Sequence, residues 1–123
     1  MNTVHDKQMA PDIFRKRMLI EGFFSIEVNE KVINDFFEFI THDLSLKTYG
    51  APIIHATSGV GKEVNQGYDA FVPLIDSGIY LAVWSNRKFL SLIIYTCKEF
   101  NDQRAMESTA RFFSLTEFTR KLF

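Results

Sequence analysis

Apolar positions follow two different rhythms along this chain. Between Leu74 and Cys97 (LIDSGIYLAVWSNRKFLSLIIYTC), Ile75, Ile79, Leu81 and Val83 make one apolar arm. Phe89 to Tyr95 (FLSLIIY) make a second, and Ser85, Asn86, Arg87 and Lys88 lie between them. Two runs of β-formers around a polar hinge predict an antiparallel hairpin. Pairing of its arms brings a hydroxyl at Ser77 and a thiol at Cys97 together at one end of a sheet. A second rhythm runs through Val32, Ile33, Phe36, Phe37, Ile40 and Leu44, which recur at helical spacing. Asn29 is a good N-cap and Glu30 suits the positive end of a helix dipole, so a helix is predicted from about residue 30 to Ser45.

The remaining pattern is read around these two elements. Residues 17–28 (RMLIEGFFSIEV) are dense in β-formers and read as a first strand, with Gly22 as a bulge. Residues 51–57 (APIIHAT) form a short strand before a polar, glycine-bearing loop. Residues 68–76 (YDAFVPLID) form another, in which Pro73 argues for an edge or a bulge. Residues 102–113 read as a second helix carrying Met106, Ala110 and Phe113 on one side, and residues 114–121 are ambiguous. Residues 1–16 are a polar arm, either disordered or a short helix after Pro11, with His5 a solvated tail residue. Residues 17–123 then form a single domain of order β-α-β-β-β-β-α-β, counting a last strand over 114–121. That order predicts an α+β two-layer sandwich, mainly an antiparallel sheet with two helices on one face.

Composition narrows the partners. A chain of 123 residues suffices for one core, and 46% hydrophobic with 24% charged residues is an ordinary globular balance. Thirteen phenylalanines predict a thick aromatic core or a flat apolar face used for self-association. A net charge of −1 supplies no basic field for nucleic acid or an anionic membrane. One cysteine excludes an internal disulfide and fits a reducing compartment. No apolar run approaches the roughly 20 residues of a membrane span, and the N-terminus lacks a signal-peptide core. A cytoplasmic protein is expected, and no metal-ligand set is assigned.

The candidate chemistry has plain alternatives. Asp76-Ser77-Gly78 is by itself a common turn, and a free cysteine such as Cys97 is most often a small buried hydrophobe. Trp84, beside a polar turn, could stack on a ligand ring or simply pack. His42, near a helix C-terminus, reads as a dipole partner and His55 as a packed or edge residue. Ala56–Glu63 (ATSGVGKE) imitates a phosphate-binding loop, but Ala56 replaces its first glycine and Glu63 its metal-binding hydroxyl. Nucleotide hydrolysis is therefore rejected, and the segment reads as a flexible loop or lid.

The stretch from Asp76 to Cys97 resembles the bacterial S-adenosylmethionine decarboxylases. That family cuts its own chain between an acidic residue and Ser, and the new terminal Ser becomes a covalent pyruvoyl group. Asp76-Ser77, Ile79, Trp84 and Tyr95-Thr96-Cys97 fall in step with the family's pattern without a gap. Glu21-Gly22-Phe23-Phe24 is similar to its first-strand element, and the family's closing strand corresponds to residues 114–121. The resemblance implies that Ser77 supplies the pyruvoyl cofactor, that Cys97 donates a proton to the substrate carbon, and that Trp84 contacts substrate. It also implies a homodimer and a place in spermidine synthesis. Two departures matter. The family's catalytic His, five residues after the cleavage Ser, is Ala82 here, and its processing Ser, eight residues before, is Asp69. Ala82 cannot move a proton, whereas Asp69 could act as a base. Three readings follow. One is a self-processing decarboxylase of S-adenosylmethionine or another amino acid. Another is a non-catalytic paralogue that binds a small-molecule ligand or regulates a partner. The last is a divergent enzyme using Asp69 and Cys97 without pyruvoyl.

Overall fold

The computed structural model describes residues 3, 9–57, 66–75 and 77–123. Among them the elements follow the predicted order: β1 (Lys16–Phe23), α1 (Glu30–Asp43), β2 (Ile53–Ala56), β3 (Gly67–Leu74), β4 (Ser77–Trp84), β5 (Phe89–Thr96), α2 (Asp102–Phe113) and β6 (Glu117–Leu122). The six strands form one antiparallel sheet in the order β2-β3-β4-β5-β1-β6. Both helices cover the same face, giving an open α+β sandwich. No helix among the described residues is long and apolar enough to cross a membrane.

Period-two alternation builds the interior. Met18 and Ile20 of β1, Val72 of β3, Leu81 of β4 and Leu92 and Ile94 of β5 point toward the helices and are buried. Ile33, Phe36, Phe37 and Ile40 of α1 meet them, with Ala105 and Phe113 of α2. Burying each large side chain contributes roughly 1.5–3 kcal/mol. Phe36 touches Phe37, Phe112 and Phe113, so the phenylalanines do make an aromatic core.

The helix layer is fixed by caps and charges. The Asn29 side chain accepts from the Val32 N–H at 2.9 Å, and the Asn101 side chain accepts from the Arg104 N–H at 2.9 Å. Arg104 and Ser108 of α2 donate to Asp43 at the end of α1. These bonds hold the Asp43 carboxyl down at about 2. Lys16, at the start of β1, pairs with Glu99 and Asp102. Burial opposes its charge, but its hydrogen bonds to those carboxylates raise the ammonium above its ordinary value.

Several expectations are corrected. The first strand stops at Phe23 rather than at Val28, because the Phe24 N–H turns to Lys88 and the Ser25 N–H to Phe113. Gly22 is not a bulge. It pairs in regular register with Leu90 and Phe118, and a Cβ there would come within 2.7 Å of the Glu117 carbonyl. Strand β3 ends at Leu74, and Ile75 lies in the turn, exposed, instead of in an apolar arm. Pro73 sits inside β3 beyond the end of the short β2, where its carbonyl accepts from the Tyr49 N–H at 3.0 Å and its missing N–H leaves that pairing one-sided. α1 ends at Asp43, and Ser45 just beyond it has φ 57°. α2 buries Ala105, Ser108, Thr109 and Phe113; of the predicted side, Phe113 is in the core, while Met106, packed against it, and Ala110 are half-buried, so the buried face is rotated toward Ser108 and Thr109. After Pro11 there is one turn, closed by the Ile13 N–H on Ala10, and no helix over residues 9–15. Glu117–Leu122 resolves the ambiguous segment as a strand. His5, Asp76 and most of Ala56–Glu63 lie outside the described residues.

Candidate functional site

The hairpin of β4 and β5 forms around residues 85–88, with Ser77 opposite Thr96. The same rung continues to Leu74 on one side and Lys16 on the other. Ser77 shares the strand parity of Ile79 and Leu81, on the helix side. Its hydroxyl is buried and has no hydrogen-bond partner among the described residues. An unpaired buried hydroxyl is costly in a finished core, which marks Ser77 as a position that packing alone does not explain. Thr96 is fully buried, and its hydroxyl bonds to both the carbonyl and the N–H of Lys98. That small turn presents the next residue, Cys97, to solvent. Cys97 is thus not the buried hydrophobe that free cysteines usually are.

On the face away from the helices, Ser77 and Cys97 border a concavity of about 510 Å³, walled by Phe71, Gly78, Tyr80, Ile93 and Tyr95. Phe71 lies across Gly78 so closely that a Cβ there would meet the ring at 2.7 Å. The wall is therefore shaped by a residue with no side chain. Tyr80 donates its hydroxyl to Asp69 at 3.0 Å. Burial raises the Tyr80 phenol above its ordinary value, and the neighbouring carboxylate adds to the effect.

Asp69 and Ala82 sit directly opposite each other, on a rung that crosses all six strands: His55, Asp69, Ala82, Ser91, Glu21 and Thr119. Ser91 donates to Glu21 at 2.8 Å within it. This polar rung lies between an apolar one (Ile53, Phe71, Tyr80, Ile93, Leu19) and an aromatic one (Trp84, Phe89, Phe23). Ala82 is five residues along β4 from Ser77, roughly 17 Å at strand rise. Trp84 is farther still, roughly 23 Å away, with its ring against Phe89 at 5.5 Å. One chain therefore brings Ser77 and Cys97 together. It sets Asp69 apart on the polar rung, and it puts Trp84 at the opposite end of the hairpin. Asp76 lies outside the described residues.

Sequence reasoning missed the aromatic wall. Its signal was present, since Tyr80 and Tyr95 alternate with the buried Ile79 and Ile94, which puts an aromatic ring on the outward parity of both strands. The opposition of His55 to Asp69 carried no such signal, because it depends on where the short β2 docks.

No family model matches the chain, and no curated protein matches it by sequence. Among solved structures, the adenosylmethionine decarboxylase of Aquifex aeolicus VF5 superposes with a TM-score of 0.68, covering 90% of this chain and 89% of that one at 13% identity. The fold is S-adenosylmethionine decarboxylase-like. At that identity the likeness establishes the decarboxylase-like architecture and leaves the chemistry to the residues themselves.

Proposed function

We propose that this chain is a divergent S-adenosylmethionine decarboxylase-like protein of spermidine biosynthesis. Its Ser77–Cys97 end binds S-adenosylmethionine or another amino acid, and its self-processing is slow. The observation that carries this reading is the buried, unpartnered Ser77 hydroxyl beside the exposed Cys97, at the mouth of an aromatic-walled concavity. Ser77 fits the precursor of a pyruvoyl group, since it opens β4 directly after the peptide bond that would break. Once formed, such a group supplies an electron sink for loss of carbon dioxide. The chain's own side chains would then hold the ligand body against Phe71, Tyr80 and Tyr95, with the Cys97 thiol as proton source. The partners for processing fit poorly. Ala82 moves no proton, and loss of a general acid–base group costs about 10²–10⁴ in rate.

The open face also supports a homodimer. Arg17 and Glu21, on β1, have no ion-pair partner among the described residues. A two-fold axis along the apolar rung between them would set each Arg17 against the partner's Glu21. The same axis would carry the partner's Asp69 toward this chain's Ser77 end, which shortens the separation of roughly 17 Å left within one chain.

The test is the denatured mass of fresh protein, together with that of an Ala82→His variant. The wild type is expected as one main species at 14.3 kDa, and A82H is expected to raise the fraction cut before residue 77. S-adenosylmethionine or another amino acid is expected to raise the Tm of the uncut protein. Complete cutting of the wild type with a blocked second chain would instead make it a working decarboxylase, measured by release of labelled carbon dioxide. An uncut A82H with no ligand-induced rise in Tm would sink the reading.

A further inference from the structure

The sheet has a bare margin at β6. All six residues from Glu117 to Leu122 are exposed, and β6 is the last strand of the sheet. The Phe123 N–H bonds to the Arg17 carbonyl, which fixes the phase of the ladder. Odd-numbered residues of β6 direct their backbone groups to β1, and Phe118, Arg120 and Leu122 direct theirs outward. An exposed row of this kind is a template for another strand unless something blocks it. Proline, a bulge or charged side chains, lysine above all, do so unless the charges find partners across the contact. Here β6 pairs with β1 in regular register, it contains no proline, and its charges are of both signs.

We propose that β6 pairs antiparallel with β6 of a second copy, about a two-fold axis at Thr119. This goes beyond the ligand site and does not depend on it. The outward phase permits only registers in which even-numbered residues face even-numbered ones. Centring on Thr119 satisfies that condition, placing Phe118 opposite the partner's Arg120 and each Glu117 opposite the partner's Lys121. Glu117 and Lys121 lie on the same face of the sheet and have no ion pair within the described residues, so two unlike-charged cross-strand pairs form at once. On the other face Arg120, 3.6 Å from Asp102, lies beside the partner's Phe118, as a cation beside an aromatic ring. A register centred on Arg120 would instead oppose two guanidinium groups, and one centred on Phe118 would leave Lys121 beyond the partner's strand. The partner that fits this margin is therefore another copy of the same chain, joined through an isologous contact.

The test reads the particle mass of the full chain by light scattering. K121E and E117K each turn the two attractive pairs repulsive, and each is expected to halve the mass. The double variant E117K/K121E restores the attraction and is expected to restore the mass. A second readout uses a Cys97→Ser background. T119C faces its own copy in a non-hydrogen-bonded pair, with Cα atoms about 4.5 Å apart, which is within disulfide reach. On oxidation it should give a covalent dimer. K121C, whose two copies lie roughly 13 Å apart along the strands, should not. Masses unchanged by both single swaps, or equal cross-linking of T119C and K121C, would overturn the proposal. An open-face dimer that persists in every variant would leave the ligand site intact and remove only this contact.

Discussion

On the helix side of the sheet, Leu81, Leu92 and Ile94 are fully buried, while their strand neighbours Tyr80 and Tyr95 on the other side remain 39% and 40% exposed. The same two strands supply both sets. The covered face is closed by α1 and α2 and holds the stability of the domain. The open face stacks an apolar, a polar and an aromatic rung, and it carries nearly every candidate for chemistry. Ser77 is the exception, since its parity belongs to the covered side while the concavity it borders belongs to the open one. Substitutions should therefore act very differently one residue apart.

The largest effect is expected on the covered side. Leu92→Ala removes a fully buried side chain and should lower unfolding stability by about 2–5 kcal/mol in urea titration. A loss below about 1 kcal/mol would mean that the helices do not close this face tightly. A middle-sized effect should come from the seam between the helices. The folded-state value of the Asp43 carboxyl lies below its ordinary one, so its contribution is present at neutral pH and is lost as pH falls from about 3.8 toward about 2. Asp43→Asn should lower stability at pH 7 and flatten that acid limb. Arg104 is largely exposed, which keeps the contribution modest. An acid limb of unchanged slope would show that the bonds from Arg104 and Ser108 do not hold in solution. The smallest effect on stability should come from the open face. Tyr80→Phe removes only the hydroxyl that Asp69 holds and should stay within about 0.5 kcal/mol, yet it should weaken ligand-induced stabilisation. Equal ligand shifts in both proteins would exclude this hydroxyl from the site.

The covered face was legible in the sequence because burial imposes a period. Ile33, Phe36, Phe37 and Ile40 announce α1, and the alternation in β4 and β5 announces the hairpin together with its turn at residues 85–88. Local rules failed where the chain answers to a distant neighbour. Gly22 looked like a bulge, yet it is small because β6 passes over it, and β6 is nearly a hundred residues away in the chain. α2 mixes Ser108 and Thr109 into its buried face, and Asp43 accepts from Ser108, so apolarity alone found Phe113 and missed the polar part of that face. The candidate site was half legible. Hairpin geometry joins Ser77 to Cys97, whereas the separation of Asp69 and Trp84 from them is a matter of counting residues along a strand. The alignment of His55 with Asp69 depends on the docking of a four-residue strand, which carries little pattern of its own.

The rung through Lys16, Thr96, Ser77 and Leu74 has one more consequence. The link between Leu74 and Ser77 is a short connector whose flanking strands are held on both sides, with Thr48 bridged to Leu74 and the Ile75 N–H bonded to Lys47. Severing that connector deletes no strand pairing, so the two pieces would remain one folded body and would separate only in denaturant. Strand β1 starts on the same rung, and Phe123 finishes against Arg17 beside it. The beginning of the sheet, its end and this connector thus share one pole of the molecule. A chain rewired to start at Ser77, with Phe123 tethered to the arm before β1, would trace the same architecture in a new order.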